Sequence, residues 1–162
     1  MQAVFSPCGR FRPLLWDVWD PSLPVLAWCL CNPSVAGQVD AGGAVKSDPT
    51  WRKGRGFSER LGYGGMVFCN PWDFCATKFA NLRRAGYPVS PDNDSHILRA
   101  CAMGDGIVVC AWGANARGLS RPAEVLRLVK AAGYRPMALR RLADGLPEHP
   151  LMLPYTCTLQ PL

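Results

Sequence analysis

Three short apolar runs, each closed by polar residues, are the feature that most restricts how this chain can fold. They cover residues 25–31, 65–70 and 106–112, and they have the length of strands buried on both faces. Helix-like segments separate them, and the first begins with a capping aspartate before proline, Asp48-Pro49. Because parallel strands need crossover connections, this alternation predicts an α/β fold, a three-layer α/β/α arrangement around a central, mostly parallel sheet.

Capping residues and shorter apolar patterns predict the other elements. Helices are expected over residues 48–62, 90–104 and 122–133. Further strands are expected at residues 14–19, as an edge strand, and at residues 135–140 and 151–155. The sequence contains no internal repeat and no low-complexity linker, so we expect a single domain over residues 1–162.

The composition is typical of a globular domain with a large core. Apolar residues make up 49% of the chain and charged residues 19%. The longest apolar run, residues 25–31, is far shorter than the roughly 20 residues that cross a bilayer. Residues 1–12 lack the apolar stretch of a signal peptide. We therefore expect a cytoplasmic protein with no membrane partner.

The chain has eight cysteines, which we expect to be reduced thiols in a protein of this size without an export signal. Cys29, Cys69 and Cys110 lie in the apolar runs and are expected in the core. The alternative is a zinc site built on Cys29 and Cys31, which would face the same side of a strand. Its further candidate ligands are Cys69, Cys75, Cys157 and His149. We predict no cofactor, with zinc or a methyl donor as alternatives.

The net charge of +6 is concentrated in two stretches of the chain. Residues 46–84 contain eight basic and three acidic residues, and residues 117–141 contain seven basic residues and one acidic residue. Such stretches favour a surface that attracts phosphates, so DNA or a nucleotide is the expected partner. The alternative is an ordinary solvated face.

Polar residues follow the apolar runs, where ligands bind in open parallel sheets. The expected catalytic residues are Asn32, Asp48 and His149. The expected substrate-binding residues are Ser34, Asn70, Trp72, Asp73 and Asn115. The alternatives are structural: turns at Asn32, Ser34 and Asn70, and a helix cap at Asp48. The sequence contains no dinucleotide-binding, Walker or nucleophile-elbow motif. Dinucleotide binding and P-loop phosphoryl transfer are therefore disfavoured.

The order of short motifs between Arg12 and Leu153 resembles a bacterial and phage family of unknown function. The motifs are Asn32-Pro33-Ser34, Asp48-Pro49-Thr50, Gly62-Tyr63-Gly64-Gly65, Pro91-Asp92-Asn93-Asp94, Ala111-Trp112-Gly113 and His149-Pro150-Leu151. This many motifs in order are specific, whereas none is specific singly. The sequence departs from that family at Cys75, where arginine is expected, and at Leu142-Ala143, where Thr-Lys is usual.

The same motifs are similar, more distantly, to those of the uracil-DNA glycosylase superfamily. The resemblance implies a uracil-DNA glycosylase-like domain in which Asn32 orients a water or a nucleophile and Asn70 hydrogen-bonds a flipped base. It also implies that Trp72 stacks on the base and that His149 supports negative charge on it. Ser34 replaces a glycine of the superfamily motifs, and Leu151 replaces a serine.

These observations predict a nucleobase-directed enzyme that acts on DNA or a nucleotide through a polar pocket at the strand ends. One alternative is a phage-type transferase that modifies DNA bases, for example by methyl transfer to a 7-deazaguanine-like base. The other is a module that binds modified bases or nucleic acid without catalysis.

Overall fold

The computed structural model describes all residues 1–162 and has one seven-stranded mixed sheet with four α-helices. The strands are β1 Gln2–Val4, β2 Leu14–Val18, β3 Val25–Cys29, β4 Gly65–Cys69, β5 Ile107–Cys110, β6 Arg135–Ala138 and β7 Gln160–Pro161. Their order across the sheet is β1-β2-β4-β3-β5-β6-β7. The predicted α/β class is therefore confirmed.

The central strands are parallel and the outer strands are not. β4, β3, β5 and β6 run in the same direction, whereas β1, β2 and β7 pair antiparallel with their neighbours. Only three of the six pairings are parallel, so the sheet is mixed rather than mostly parallel. No α-helix lies between β1 and β2 or between β6 and β7, and antiparallel neighbours of this kind need no crossover helix.

The helices cover both faces of the sheet. They are α1 Pro49–Arg60, α2 Phe79–Arg84, α3 Asn93–Met103 and α4 Arg121–Ala131. Alternate residues of β3 belong to two separate cores: Leu26 and Trp28 lie in the core that α1 covers, and Ala27 and Cys29 lie in the core that α2, α3 and α4 cover. None of these helices has the length and apolar character needed to span a bilayer.

Two local predictions are corrected, and one helix was missed. The strand at residues 14–19 is β2, which lies inside the sheet between β1 and β4 and is not an edge. Residues 151–155 are not a strand, since Pro150–Met152 is a short 3-10 helix in which the Leu153 N–H donates to Pro150 O at 3.0 Å. Proline fixes φ near the value that such a turn needs, and it has no N–H for a sheet. The helix α2 was not predicted.

Several segments that are distant in sequence meet at one edge of the sheet. The carboxyl ends of β3, β4 and β5 meet at this edge because these strands are parallel. β2 runs the opposite way beside β4, so the start of β2, and Arg12 just before it, lie at the same edge. The start of α1 also lies there, held by Asp48, whose Oδ1 accepts from the Trp51 N–H at 2.8 Å.

Candidate functional site

A cavity of about 430 Å³ opens at this edge, within the range of small-molecule pockets. Five of the predicted site residues line it, and they come from segments far apart in the sequence. These five are Asn32, Ser34, Asp48, Asn115 and His149. The other lining residues are Cys31, Pro49, Thr50, Ala76, Thr77, Phe79, Trp112, Gly113, Ala114 and Leu151.

A recess of about 40 Å³ adjoins the cavity and shares five lining residues with it. The shared residues are Asn32, Ser34, Asp48, Thr50 and His149. The residues found only in the recess are Arg12, Leu30, Ala36, Phe68 and Asn70. The sixth predicted residue, Asn70, is therefore in the same site but deeper.

Asn70 is held rigidly by its backbone while its side chain is left unpaired. The side chain of Asn93 donates to the backbone oxygens of Asn70 at 3.1 Å and Pro71 at 3.0 Å. Asn70 is only 1% exposed, yet its amide oxygen has no hydrogen-bond partner. A buried acceptor without a partner is costly to a fold. Asn70 lines the recess, so a ligand that enters the recess is a candidate source of the missing donor.

Asn32 is anchored through one end of its amide. Its Nδ2 donates to Ala76 O at 2.7 Å and to Pro33 O at 3.0 Å. Both contacts use the amide nitrogen, which leaves Oδ1 as an acceptor for a water or a ligand. The predicted turn at Asn32-Pro33 and the predicted pocket position of Asn32 therefore coexist.

His149 is a neutral donor in this setting. Burial lowers its pKa from the ordinary value of 6.5, against a smaller opposing effect of the Asp48 carboxylate. The Leu151 N–H donates to Nδ1 at 3.4 Å, so the proton of the neutral ring is on Nε2. An Nε2–H beside the cavity is suited to donate to an oxygen that gains negative charge.

Asp48 serves the fold and remains available to the site. Its Oδ1 caps α1, and its carboxylate also lines the cavity. The cap uses one of the two carboxylate oxygens, so Oδ2 is left as a base or acceptor.

Arg12 is a site residue that the sequence did not indicate. It is 4% exposed and lines the recess, and its Nη1 donates to Ala36 O. Its Nε is buried without a partner, and no carboxylate lies within salt-bridge distance of it. Burial lowers the pKa of Arg12 to about 10, so the group stays charged at neutral pH. The sequence does show a basic residue just before an apolar run, but the direction in which β2 runs in the sheet could not be predicted from it.

Two predicted substrate-binding residues lie outside the cavity and the recess. Trp72 is 2% exposed and packs in the core against Phe79 and Tyr87. Asp73 is fully buried and accepts from the Ser90 backbone N–H at 2.9 Å and from the Ser90 hydroxyl. The structure therefore places Trp72 in the core and Asp73 where it fixes the loop before α3.

The cysteines belong mainly to the core, and none of the eight is in a disulfide. Cys29, Cys69 and Cys110 are fully buried, as predicted. Cys31 also lines the cavity, where burial raises its pKa to about 12 and keeps it a thiol. No group of three or more His, Cys, Asp or Glu side chains is placed to hold a metal ion, so Cys29 and Cys31 lack completing ligands.

Gly113 sets how closely the His149 loop approaches β5. Its φ is +73°, and an added Cβ would lie 2.9 Å from the His149 Cβ. We expect Gly113→Ala to lower the free energy of unfolding by about 1–3 kcal/mol through its backbone conformation, φ +73° and ψ −173°, and by a further ~1–3 kcal/mol through the contact. Chemical denaturation measures this loss.

Gly118→Ala is the matched control, because Gly118 has φ +74° and nothing within 4 Å of an added Cβ. It should show the φ effect alone. Equal losses in the two variants would mean that the approach of His149 to Gly113 is not tight.

The sequence pattern of a family described as "Protein of unknown function (DUF1643)" matches residues 12–151. Every residue that lines the cavity or the recess falls within this matched range. No curated protein and no solved structure matches the chain.

Proposed function

The chain belongs to the family described as a protein of unknown function (DUF1643), and we propose that it is a nucleobase-directed enzyme acting on DNA or a nucleotide. One observation carries this proposal: the buried amide of Asn70, whose oxygen has no partner, at the inner end of a polar cavity. An amide offers both a donor and an acceptor, which is what the edge of a nucleobase requires.

The size of the site supports a base as the ligand. A base extruded from a duplex must fit a pocket that reads its edge, and the cavity of about 430 Å³ ends in the narrower recess at Asn70. Asn32, Asp48 and His149 line both the cavity and the recess, and in this proposal the bond between the sugar and the base lies beside them.

In the hydrolytic form of this proposal, Asn32 Oδ1 holds a water that attacks the sugar C1′. The bond between C1′ and the base nitrogen breaks, and its electron pair leaves with the base. The proton of the water passes to the Asp48 carboxylate. His149 Nε2–H donates to the base oxygen on which the negative charge develops.

We also propose that the fold is the three-layer arrangement of the uracil-DNA glycosylase superfamily. Its support is the order of the motifs along the chain and the presence of helices on both faces of the sheet. A cytoplasmic location is part of the same proposal, since DNA and nucleotides are found there.

Unpaired basic residues near the mouth of the cavity support DNA as the partner. Lys46, Arg52 and Lys78 are exposed, lie within two residues of a lining residue in sequence and form no ion pair. We call these three residues the rim cations. Such side chains neutralise phosphates and release counterions on binding.

Replacing the rim cations together by glutamine should weaken DNA binding and flatten its salt dependence. The slope of log K against log[salt] should fall in magnitude by about one for each lost phosphate contact. Fluorescence anisotropy over a salt series measures it. The charge-matched control is Arg99→Gln, Arg127→Gln and Arg135→Gln, which removes three exposed, unpaired cations from α3, α4 and the opposite edge of the sheet. Equal slopes in both triple variants would place the DNA elsewhere.

Mass spectrometry of nucleosides tests the enzyme directly. Duplex and single-stranded DNA are incubated with the protein, with and without a sulfonium methyl donor, and compared with the Asn32→Ala, His149→Ala double variant. Loss of one base, with abasic sites, supports hydrolysis. A mass gain that requires the donor supports the transferase alternative. If the wild type and the double variant leave the same nucleosides, the enzyme proposal is wrong, and binding without products supports the non-catalytic module.

A further inference from the structure

The chain segment that follows His149 is fixed to α1 by the ring of Tyr155. This ring lies over Gly56, where an added Cβ would be 2.5 Å from the Tyr155 hydroxyl oxygen and 2.8 Å from its Cζ. The ring centroid is 4.8 Å from that of Phe57, the distance of a packed aromatic pair. An approach this close requires a residue without a side chain, so the glycine in α1 makes room for the Tyr155 ring.

Two cations of α1 also contact the Tyr155 ring. Lys53 Nζ and Arg60 Cζ each lie 4.0 Å from the ring centroid, within the range of a cation–π interaction. Lys53 and Arg60 are about two turns apart on the helix. Although 37% of Tyr155 is exposed, its ring therefore bridges two turns of α1 and fixes its own segment relative to that helix.

Both partners of this contact lead to the candidate site. α1 starts after Asp48, which caps it, and the Tyr155 segment starts at His149, which caps the short helix Pro150–Met152. Asp48 and His149 line both the cavity and the recess. Asp48 is also the only charged group that shifts the pKa of His149. A displacement of the Tyr155 segment along α1 would therefore move His149 relative to Asp48.

The connection between His149 and Tyr155 is short and has little freedom. Leu153 is fully buried in the core that α1 covers, and its N–H donates to Pro150 O at 3.0 Å. Pro150 and Pro154 restrict the backbone further, because proline fixes φ. The position of the Tyr155 ring is thus transmitted to His149 and is not absorbed by a flexible loop.

We propose that Tyr155 is a positioning residue, which by docking on α1 holds His149 beside Asp48 in the arrangement that the reaction uses. Tyr155 lines neither the cavity nor the recess, so it acts through His149 and not on a substrate. The expected effect on rate rests on the proposed function. The effect on the His149 ring does not, and it is measurable without any reaction.

The pKa of the His149 ring, followed by its NMR signals, tests the positioning role. Burial holds this pKa below its ordinary value of 6.5, so a loosened ring should have a pKa closer to 6.5. We expect this rise in Tyr155→Ala but not in Tyr155→Phe, which keeps the ring. Tyr134→Ala is the matched control, because Tyr134 lies between α4 and β6 and packs against the other core. It should lower the Tm without changing the pKa of His149.

Gly56→Ala displaces the Tyr155 ring without removing it. Alanine is a better helix former than glycine, but its Cβ would occupy the place of the ring. The pKa of His149 should therefore rise in this variant too. The Tm should fall when Gly56→Ala is made in the wild type and rise when it is made in Tyr155→Ala, where the ring is absent.

The rate of the proposed reaction is the second measurement. Tyr155→Ala should lower the maximal rate by about tenfold to a hundredfold, the cost of misplacing a group by about 1 Å, and leave KM nearly unchanged. An unchanged pKa of His149 in both Tyr155→Ala and Gly56→Ala would overturn the inference, whatever the protein does. If the pKa rose in both variants but the wild type released or modified no base, the positioning role would stand and the proposed function would be wrong.

Discussion

Asn70→Leu should abolish base recognition without harming the fold. We expect base affinity and any base-dependent rate to fall at least about a hundredfold, since a pocket that reads hydrogen bonds loses most of its discrimination when they are removed. The amide oxygen of Asn70 is unpaired in the protein, so leucine of similar size should leave the free energy of unfolding unchanged or higher by up to ~1–3 kcal/mol. Base binding and urea unfolding, measured on the same preparation, test both parts.

Asn93→Leu is the matched control, because Asn93 is also a buried asparagine near this edge. Its amide nitrogen donates to Asn70 O and Pro71 O, whereas its amide oxygen, like that of Asn70, has no partner. We expect this variant to lose about 1–3 kcal/mol of stability, since a buried carbonyl is left unpaired. If Asn70→Leu destabilised the protein as much as Asn93→Leu and left base binding intact, Asn70 would be a structural residue.

His149→Ala should lower the rate of any base-releasing reaction by about 10²–10³-fold, the usual cost of removing one donor to a developing negative charge. The same substitution should change stability as a function of pH. The pKa of His149 in the folded chain lies below 6.5, so the unfolded chain takes up the proton first. Wild-type stability should therefore fall, relative to His149→Ala, as the pH drops below about 6.5.

His96→Ala is the control, because the chain has only two histidines and His96 lies in α3, outside the cavity. It should leave the rate unchanged. Equal rates for wild type and His149→Ala would show that His149 takes no part in the reaction. If the stabilities of the two proteins changed in parallel with pH, the His149 ring would titrate alike in the folded and unfolded chains.

The sequence was sufficient for the centre of the fold. β3, β4 and β5 are continuous apolar runs because both of their faces are covered, and this pattern is readable without a structure. The outer strands are harder to predict from the sequence. β1 and β7 have three and two residues, too short for a periodic signal, and Pro161 in β7 argues against a strand.

Residues of the candidate site could be predicted from the sequence where they directly follow a parallel strand. Asn32 and Asn70 belong to this class, and their convergence depends only on strand direction. Arg12 required knowledge that β2 runs antiparallel to β4, which a short strand between loops does not disclose. Trp72 comes directly after Asn70-Pro71, where a residue that contacts a ligand is also expected. Its side chain packs instead in the core that α2 and α3 cover, and sequence spacing does not show which way a side chain points.

The central claim, that Asn70 reads a base, is tested most directly by the NMR signals of its side-chain amide. In a ¹⁵N-labelled protein these signals are assigned by their loss in Asn70→Leu, and those of Asn93 by their loss in Asn93→Leu. On titration with uracil, we predict that the Asn70 signals shift with the occupancy of the site while the Asn93 signals, fixed on two backbone oxygens, move far less. Unchanged Asn70 signals at a uracil concentration that saturates binding would contradict the claim.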